Sequence, residues 1–292
     1  MHMDETAAPS TNAPMANLRL GLVPYLNILP LVEGLDAYVP SDRWVRATPR
    51  ELGSLLSAGE IDVATLPMAE ILRNGTYRVL AGCAIASDGP VRSVQIFSKV
   101  PLAEVRTILL DRSSLTSVCL ARIVLRDMLG ISPAEKTSDE PIRTSFDWRS
   151  AAEDAFLVIG DTALSWEHEF PHRLDLGSAW KSLTGLPFVY AAWAVRANVR
   201  VEAETASAFV RCRRAGQANV ARLAAEWEGH SGMTRGSLES YLRDAIRYEL
   251  SEAEIQGIDE FRRRMVTHGL VPAGTQPIRI LGESAQAPVT QC

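Results

Sequence analysis

Cysteine and histidine are scarce in this sequence: four and five, respectively, in 292 residues. Cys83, Cys119, Cys212 and Cys292 stand far apart with no Cys-x-x-Cys pair, so neither a zinc site nor a disulfide framework is legible, and a reducing compartment is the simpler reading. His2, His168, His172, His230 and His268 fall outside every strand-end motif and read as surface residues rather than catalysts. No apolar run approaches the roughly 18 residues a membrane span needs. Lysine and arginine form no dense stripe; the tightest cluster, Arg211, Arg213 and Arg214, reads as a solvated helix face, which argues against nucleic acid as a partner. Gly-x-Gly-x-x-Gly, P-loop, His-Glu-x-x-His and Gly-x-Ser-x-Gly units are missing too, leaving nucleotide, zinc-protease and serine-hydrolase chemistry without support.

What is present is ordinary globular material: 47% hydrophobic, 22% charged, net charge -5, and length enough for two domains or one large one. Residues 1–17 are small, acidic and Pro-containing, without the positive and apolar regions of an export signal, and read as a disordered tail on a cytoplasmic protein.

The chain is organised around Leu18 to Pro30, LRLGLVPYLNILP. Leu18, Leu20, Leu22 and Val23 give a buried-strand pattern; Pro24 cannot donate to a ladder and ends it. Tyr25 and Asn27 are thereby delivered to a strand's carboxyl end, where open α/β sheets bind ligands. Asn27 either holds a ligand there or caps the next helix. The pattern then runs β-α-β-α through Pro49–Gly59, Ile61–Leu66 and a helix opened by Pro67. Tyr77–Ala86 and Val94–Phe97 are strands around the polar turn Ser87–Ser93. A second β/α half begins near Pro101: strand Val105–Leu110, the hydroxyl-rich loop Asp111–Ser117, a helix, then strand Phe156–Ile159 ending in Gly160-Asp161. Ser114 and Thr116 on that loop form an anion site or ordinary helix caps. Leu174–Gly177 follows, then a strand carrying Tyr190 and Trp193, with Trp193 either in the core or near the cleft. Val201 to about His268 is helical in character, including an amphipathic stretch Leu238–Leu250.

VPYLNILP, GEIDVATLPMAEILRN, SDGPVRSVQIFSK, SSLTS, IGDTAL and DLGSAWKSLTGLPFVYAAW, in that order, resemble the chorismate dehydratase family of the futalosine route of menaquinone biosynthesis, over Leu18 to about Pro272. The resemblance implies an α/β, two-lobed, periplasmic-binding-protein-like (type II) fold with a central ligand cleft. It also implies cofactor-free dehydration of chorismate to 3-[(1-carboxyvinyl)oxy]benzoate. On that reading lobe 1 comprises 18–98 and 194–276, lobe 2 comprises 99–193, and 277–292 is a tail.

A dicarboxylate needs donors for two anionic groups and a contact on the departing hydroxyl. The resemblance points to Asn27 and Ser87 as catalytic, with Tyr25, Ser93, Ser114, Thr116, Asp161 and Tyr190 as substrate-binding residues and no metal. The base is the substrate's own carboxylate, as the family implies, or Asp88 or Asp161 if burial raises its pKa. Both aspartates also suit turns beside glycine. A transporter's solute-binding protein for small anions would use the same cleft without chemistry, and fold alone does not separate the two. A regulator's sensing domain would need a DNA-binding module, and the sister enzyme acting on a futalosine-derived substrate fits the SDGP and TGLPFVYAAW stretches less well. The helices of 201–268 could pack internally or form a homodimer.

Overall fold

The computed structural model describes residues 15, 17–231 and 233–282. The opening run forms β1 (Leu20–Leu22), buried throughout. After it a 3-10 turn at Leu26–Ile28 carries Asn27 into the short α1 (Leu29–Val32). β2 (Trp44–Arg46) leads to α2 (Pro49–Ala58), which Thr48 and Glu51 cap reciprocally and Gly59 ends with φ 78°. β3 (Val63–Pro67), α3 (Met68–Asn74) and β4 (Arg78–Ser87) follow, all as the pattern predicts.

The second half holds β5 (Val94–Ser98), β6 (Thr107–Leu110), α4 (Leu115–Asp127), β7 (Ala134–Thr137), β8 (Ala155–Ile159) and α5 (Gly160–Ser165). β9 (His172–Asp175) passes straight into α6 (Leu176–Thr184), the join falling within Leu174–Gly177. β10 (Phe188–Val195), α7 (Ala203–Ala218), α8 (Val220–Ser231), α9 (Arg235–Ser240), α10 (Glu252–Thr267) and β11 (Arg279–Leu281) complete the chain.

Two sheets result, ordered β11-β4-β10-β3-β1-β2 and β7-β6-β8-β5-β9. β1, β2 and β3 are parallel, as are β6, β7 and β8. Each sheet therefore gathers several strand ends at one edge, and the loops that follow them line a common cavity.

Strand membership corrects the expected lobe boundaries. β5, expected in lobe 1, pairs with β8 and β9 in the second sheet. β10, expected to end lobe 2 at Trp193, lies at the centre of the first sheet between β3 and β4. The reason is local: Gly89, at φ 124°, and Pro90, which has no N–H, break the β4–β5 hairpin, so the chain crosses between sheets there. Trp193 is fully buried against Phe209 at 4.8 Å between ring centroids, which places it in the core.

The amphipathic stretch expected over Leu238–Leu250 is only partly helical. α9 widens into a π turn at Tyr241–Ala245, and the chain then extends. β11 covers only Arg78–Leu80 of the β4 edge. Farther along that edge, Arg247 and Ala86 exchange backbone hydrogen bonds of 2.7 and 2.8 Å, and Ala84 N donates to Tyr248 O. Satisfying those buried backbone groups outweighs continuing the helix. Part of the expected C-terminal tail is the edge strand β11; residues 1–14, 16 and 283–292 lie outside the described residues.

Candidate active site

The loops after β1, β2, β3, β6 and β8 enclose a cavity of about 440 Å³. Among its walls are the starts of α2 (Thr48, Pro49), α4 (Ser113, Ser114, Ser117) and α5 (Gly160, Asp161, Thr162). Helix starts carry backbone N–H groups without intrahelical partners, so the cavity favours anions. Asp111, fully buried, fixes the α4 entrance by accepting from Ser113 N at 2.8 Å and Ile142 N at 2.9 Å. Ser114 caps α4, accepting from Ser117 N at 3.3 Å and donating to Ser117 Oγ at 2.8 Å.

A hydrogen-bonded chain joins three segments across the cavity. Tyr241 Oη donates to Ser93 Oγ at 2.9 Å, which leaves the Ser93 proton available to the cavity. Asn27 donates to the Tyr241 phenol. That contact uses one N–H of the amide, while Asn27 Oδ1 is buried without a partner, as is Thr65 Oγ1 within β3. Both residues line the cavity. A buried polar atom without a partner costs about 1–3 kcal/mol, and both acceptors face the cavity, where a donor could reach them. Burial pushes the Tyr241 phenol up to about 12, against its hydrogen bonds with Ser93 and Asn27, so it stays a proton donor at neutral pH.

The structure brings Tyr25, Asn27, Ser93, Ser114, Asp161 and Tyr190 together on the cavity wall. Ser87 does not line it. Its hydroxyl lies behind Tyr190, 3.3 Å from the phenol oxygen, and is fully buried because α6 packs over the crossing at Gly177. Thr116 does not line it either: its Oγ1 accepts from Ala69 N at 3.0 Å, tying α3 to α4. Ser113, Ser114 and Ser117 occupy the cavity side of that first turn, and Thr116 is rotated away from it. Asp88 is also outside the cavity, paired with Lys181 at 2.6 Å and Arg247 at 3.1 Å. Asp161 is raised above the ordinary aspartate value by burial, with a hydrogen bond from Trp227 opposing. The Tyr25 phenol is likewise raised, by burial and then by Asp111, against Arg143.

Sequence reading missed Thr65, Arg143 and Tyr241. Thr65 had a signal, since it lies in the same apolar strand as Leu66, two residues before the strand's carboxyl end. Arg143, the cation on the cavity wall, belongs to the link between β7 and β8 and had none. Tyr241 looked like one more apolar residue of a helix.

A family described as menaquinone biosynthesis matches residues 18–267. A chorismate dehydratase of Thermus thermophilus is 29% identical over 260 residues, 83% of this chain and 93% of that protein. The crystal structure of protein AF1704 from Archaeoglobus fulgidus superposes with a TM-score of 0.64 at 17% identity, covering 87% of this chain and 98% of that one. The periplasmic aliphatic sulphonate binding protein SsuA of Escherichia coli gives 0.60 at 14% identity, over 94% and 96%. These two likenesses establish the fold as periplasmic-binding-protein-like. With six-sevenths of its length matched, the chain belongs to the menaquinone biosynthesis family.

Proposed function

We propose that this protein is a chorismate dehydratase, forming 3-[(1-carboxyvinyl)oxy]benzoate and water, a carbon–oxygen lyase reaction. Membership of the menaquinone biosynthesis family and the Thermus relative support the reading at the level of the pathway and of a dehydratase. The observation in the cavity that carries it is the buried, unpartnered Asn27 Oδ1 among helix starts. With both carboxylates ionised, chorismate has one hydrogen-bond donor, its ring hydroxyl, and an orphaned acceptor is the complement of that group.

In the reaction the C–H pair at the ether-bearing ring carbon becomes the new ring double bond. The C–O pair of the neighbouring hydroxyl leaves on oxygen, which takes up a proton to become water. No net electron change occurs, and aromatisation drives the step. Asn27 Oδ1 orients the hydroxyl, and Ser93, with Tyr241 donating to it, supplies a proton to the departing oxygen. The helix starts and Arg143 hold the carboxylates. Asp161, at the start of α5, lines the same wall with its pKa raised by burial. The substrate's own carboxylate accepts the ring proton, since Asp111 and Asp88 are engaged elsewhere. Ser87 acts through Tyr190 as a positioning residue.

The test is to incubate the purified protein with chorismate and follow the aromatic enol ether by absorbance and mass. Chorismate that binds but persists would return the protein to the solute-binding reading.

A further inference from the structure

A second groove, about 840 Å³, runs along α2, α3 and the start of α4. Pro49, Pro67 and Ser113 line both it and the cavity, so the two spaces share a wall at the helix starts. Its charged lining consists of Arg50, Arg73 and Arg112 against the single carboxylate Glu70. All three arginines are exposed. Among the described residues none of the three forms an ion pair with a carboxylate, although Glu70 lines the same groove. Arg73 donates to the carbonyl of Leu270 at 3.4 Å and Arg112 to the carbonyl of Asp139. What sets the groove apart is that three arginines converge on one concave wall beside a single carboxylate.

The local balance runs against that of the whole molecule. The chain carries net charge -5, which repels a dianion at long range, yet the groove beside the cavity carries three positive charges to one negative. A concave surface of one sign concentrates ligands of the other and raises their association rate, by about 10-fold or more at low salt. From this juxtaposition we infer that the groove is an antechamber for small di-anions, which collects the dicarboxylate and passes it over the shared wall into the cavity. The inference rests on the dicarboxylate substrate proposed above, and deepens it by assigning a separate site of capture.

The experiment compares the parent protein with the triple variant Arg50→Gln, Arg73→Gln, Arg112→Gln at about 20 mM and about 300 mM KCl, on either side of effective screening. None of these residues touches the reacting atoms. For the parent, kcat/KM on chorismate should fall as salt rises. The variant should start about 10-fold lower at low salt, with kcat unchanged, and the two should converge at high salt. In a second arm, stopped-flow fluorescence follows isophthalate, an unreactive aromatic dicarboxylate; its association rate should drop in the variant with its dissociation rate unchanged. Equal association rates and equal salt dependence in parent and variant would remove the antechamber, as would a parent that fails to bind isophthalate. A parent that binds isophthalate with the expected salt dependence but leaves chorismate intact would remove the dehydratase reading and keep the antechamber.

Discussion

Asn27 sits in a 3-10 turn with its amide oxygen buried and unsatisfied. Truncating the side chain relieves the buried, unpartnered oxygen while losing the amide's hydrogen bond to Tyr241, two opposing effects of similar size, so the net cost should be small. Asn27→Ala is therefore expected to lower kcat by about 100-fold or more while leaving Tm nearly unchanged, checked by steady-state kinetics alongside thermal melting. Asp161 behaves oppositely. Burial raises its folded pKa, so the folded state binds more protons than the unfolded one, and stability declines as pH rises from the unfolded value through the folded one. Asp161→Asn should raise Tm at neutral pH, with the gain fading in acid; melting curves across pH read this. Asn27 and Asp161 were both legible as strand-end residues. Which polar atom lacked a partner, and which carboxylate was buried, depended on neighbours such as Tyr241 and Trp227, far away in the chain.

At the scale of elements, the β4-to-β5 crossing is held by one carboxylate. Asp175 accepts from Val91 N at 3.1 Å and Arg92 N at 2.7 Å while also capping α6 through Ser178 N at 2.9 Å. Arg92, the non-glycine residue held at φ 63°, keeps that conformation one position before Ser93 of the cavity. α6 can approach because Gly177 lacks a side chain: a Cβ there would lie 2.3 Å from Gly89 O and 2.7 Å from Ser87 Oγ. Gly177→Ala should push α6 off the crossing, costing about 1–3 kcal/mol as overpacking and displacing Tyr190 through Ser87. The expected result is a lower Tm together with a raised KM, measured on the same preparation. The β/α alternation of the first half was legible from periodicity and from caps such as Thr48 and Gly59. The π turn at Tyr241 was not, because apolar spacing from 238 to 250 reads as helix until the free edge of β4 requires an extended partner.

For the whole molecule, the ends of the first sheet's strands are tied by Asp62, which is 8% exposed. It accepts from Arg19 Nη2 just before β1, at 3.0 Å, and from Arg196 Nη2 just after β10, at 2.9 Å. Burial alone would raise its pKa, and the hydrogen bonds from Arg19 and Arg196 more than offset that, holding it below the ordinary value. Its stabilisation is thus present above the unfolded pKa, about 3.9, and is lost as pH falls through the lower folded value. Asp62→Ala should destabilise by about 3 kcal/mol at neutral pH, lowering Tm by several degrees, and the gap to the parent should close in strong acid; chemical denaturation across pH measures it. The sequence by itself determined the two-sheet α/β character, the strand-end position of Asn27 and the membership that six ordered motifs imply, because periodicity, proline and glycine act over a few neighbouring residues. Only the tertiary structure decided that β5 and β10 change sheets, that Ser87 and Thr116 turn away from the cavity while Thr65, Arg143 and Tyr241 face it, and that three arginines gather beside it. Those outcomes depend on pairings between residues tens to more than a hundred positions apart, set by backbone satisfaction and packing that no local pattern encodes.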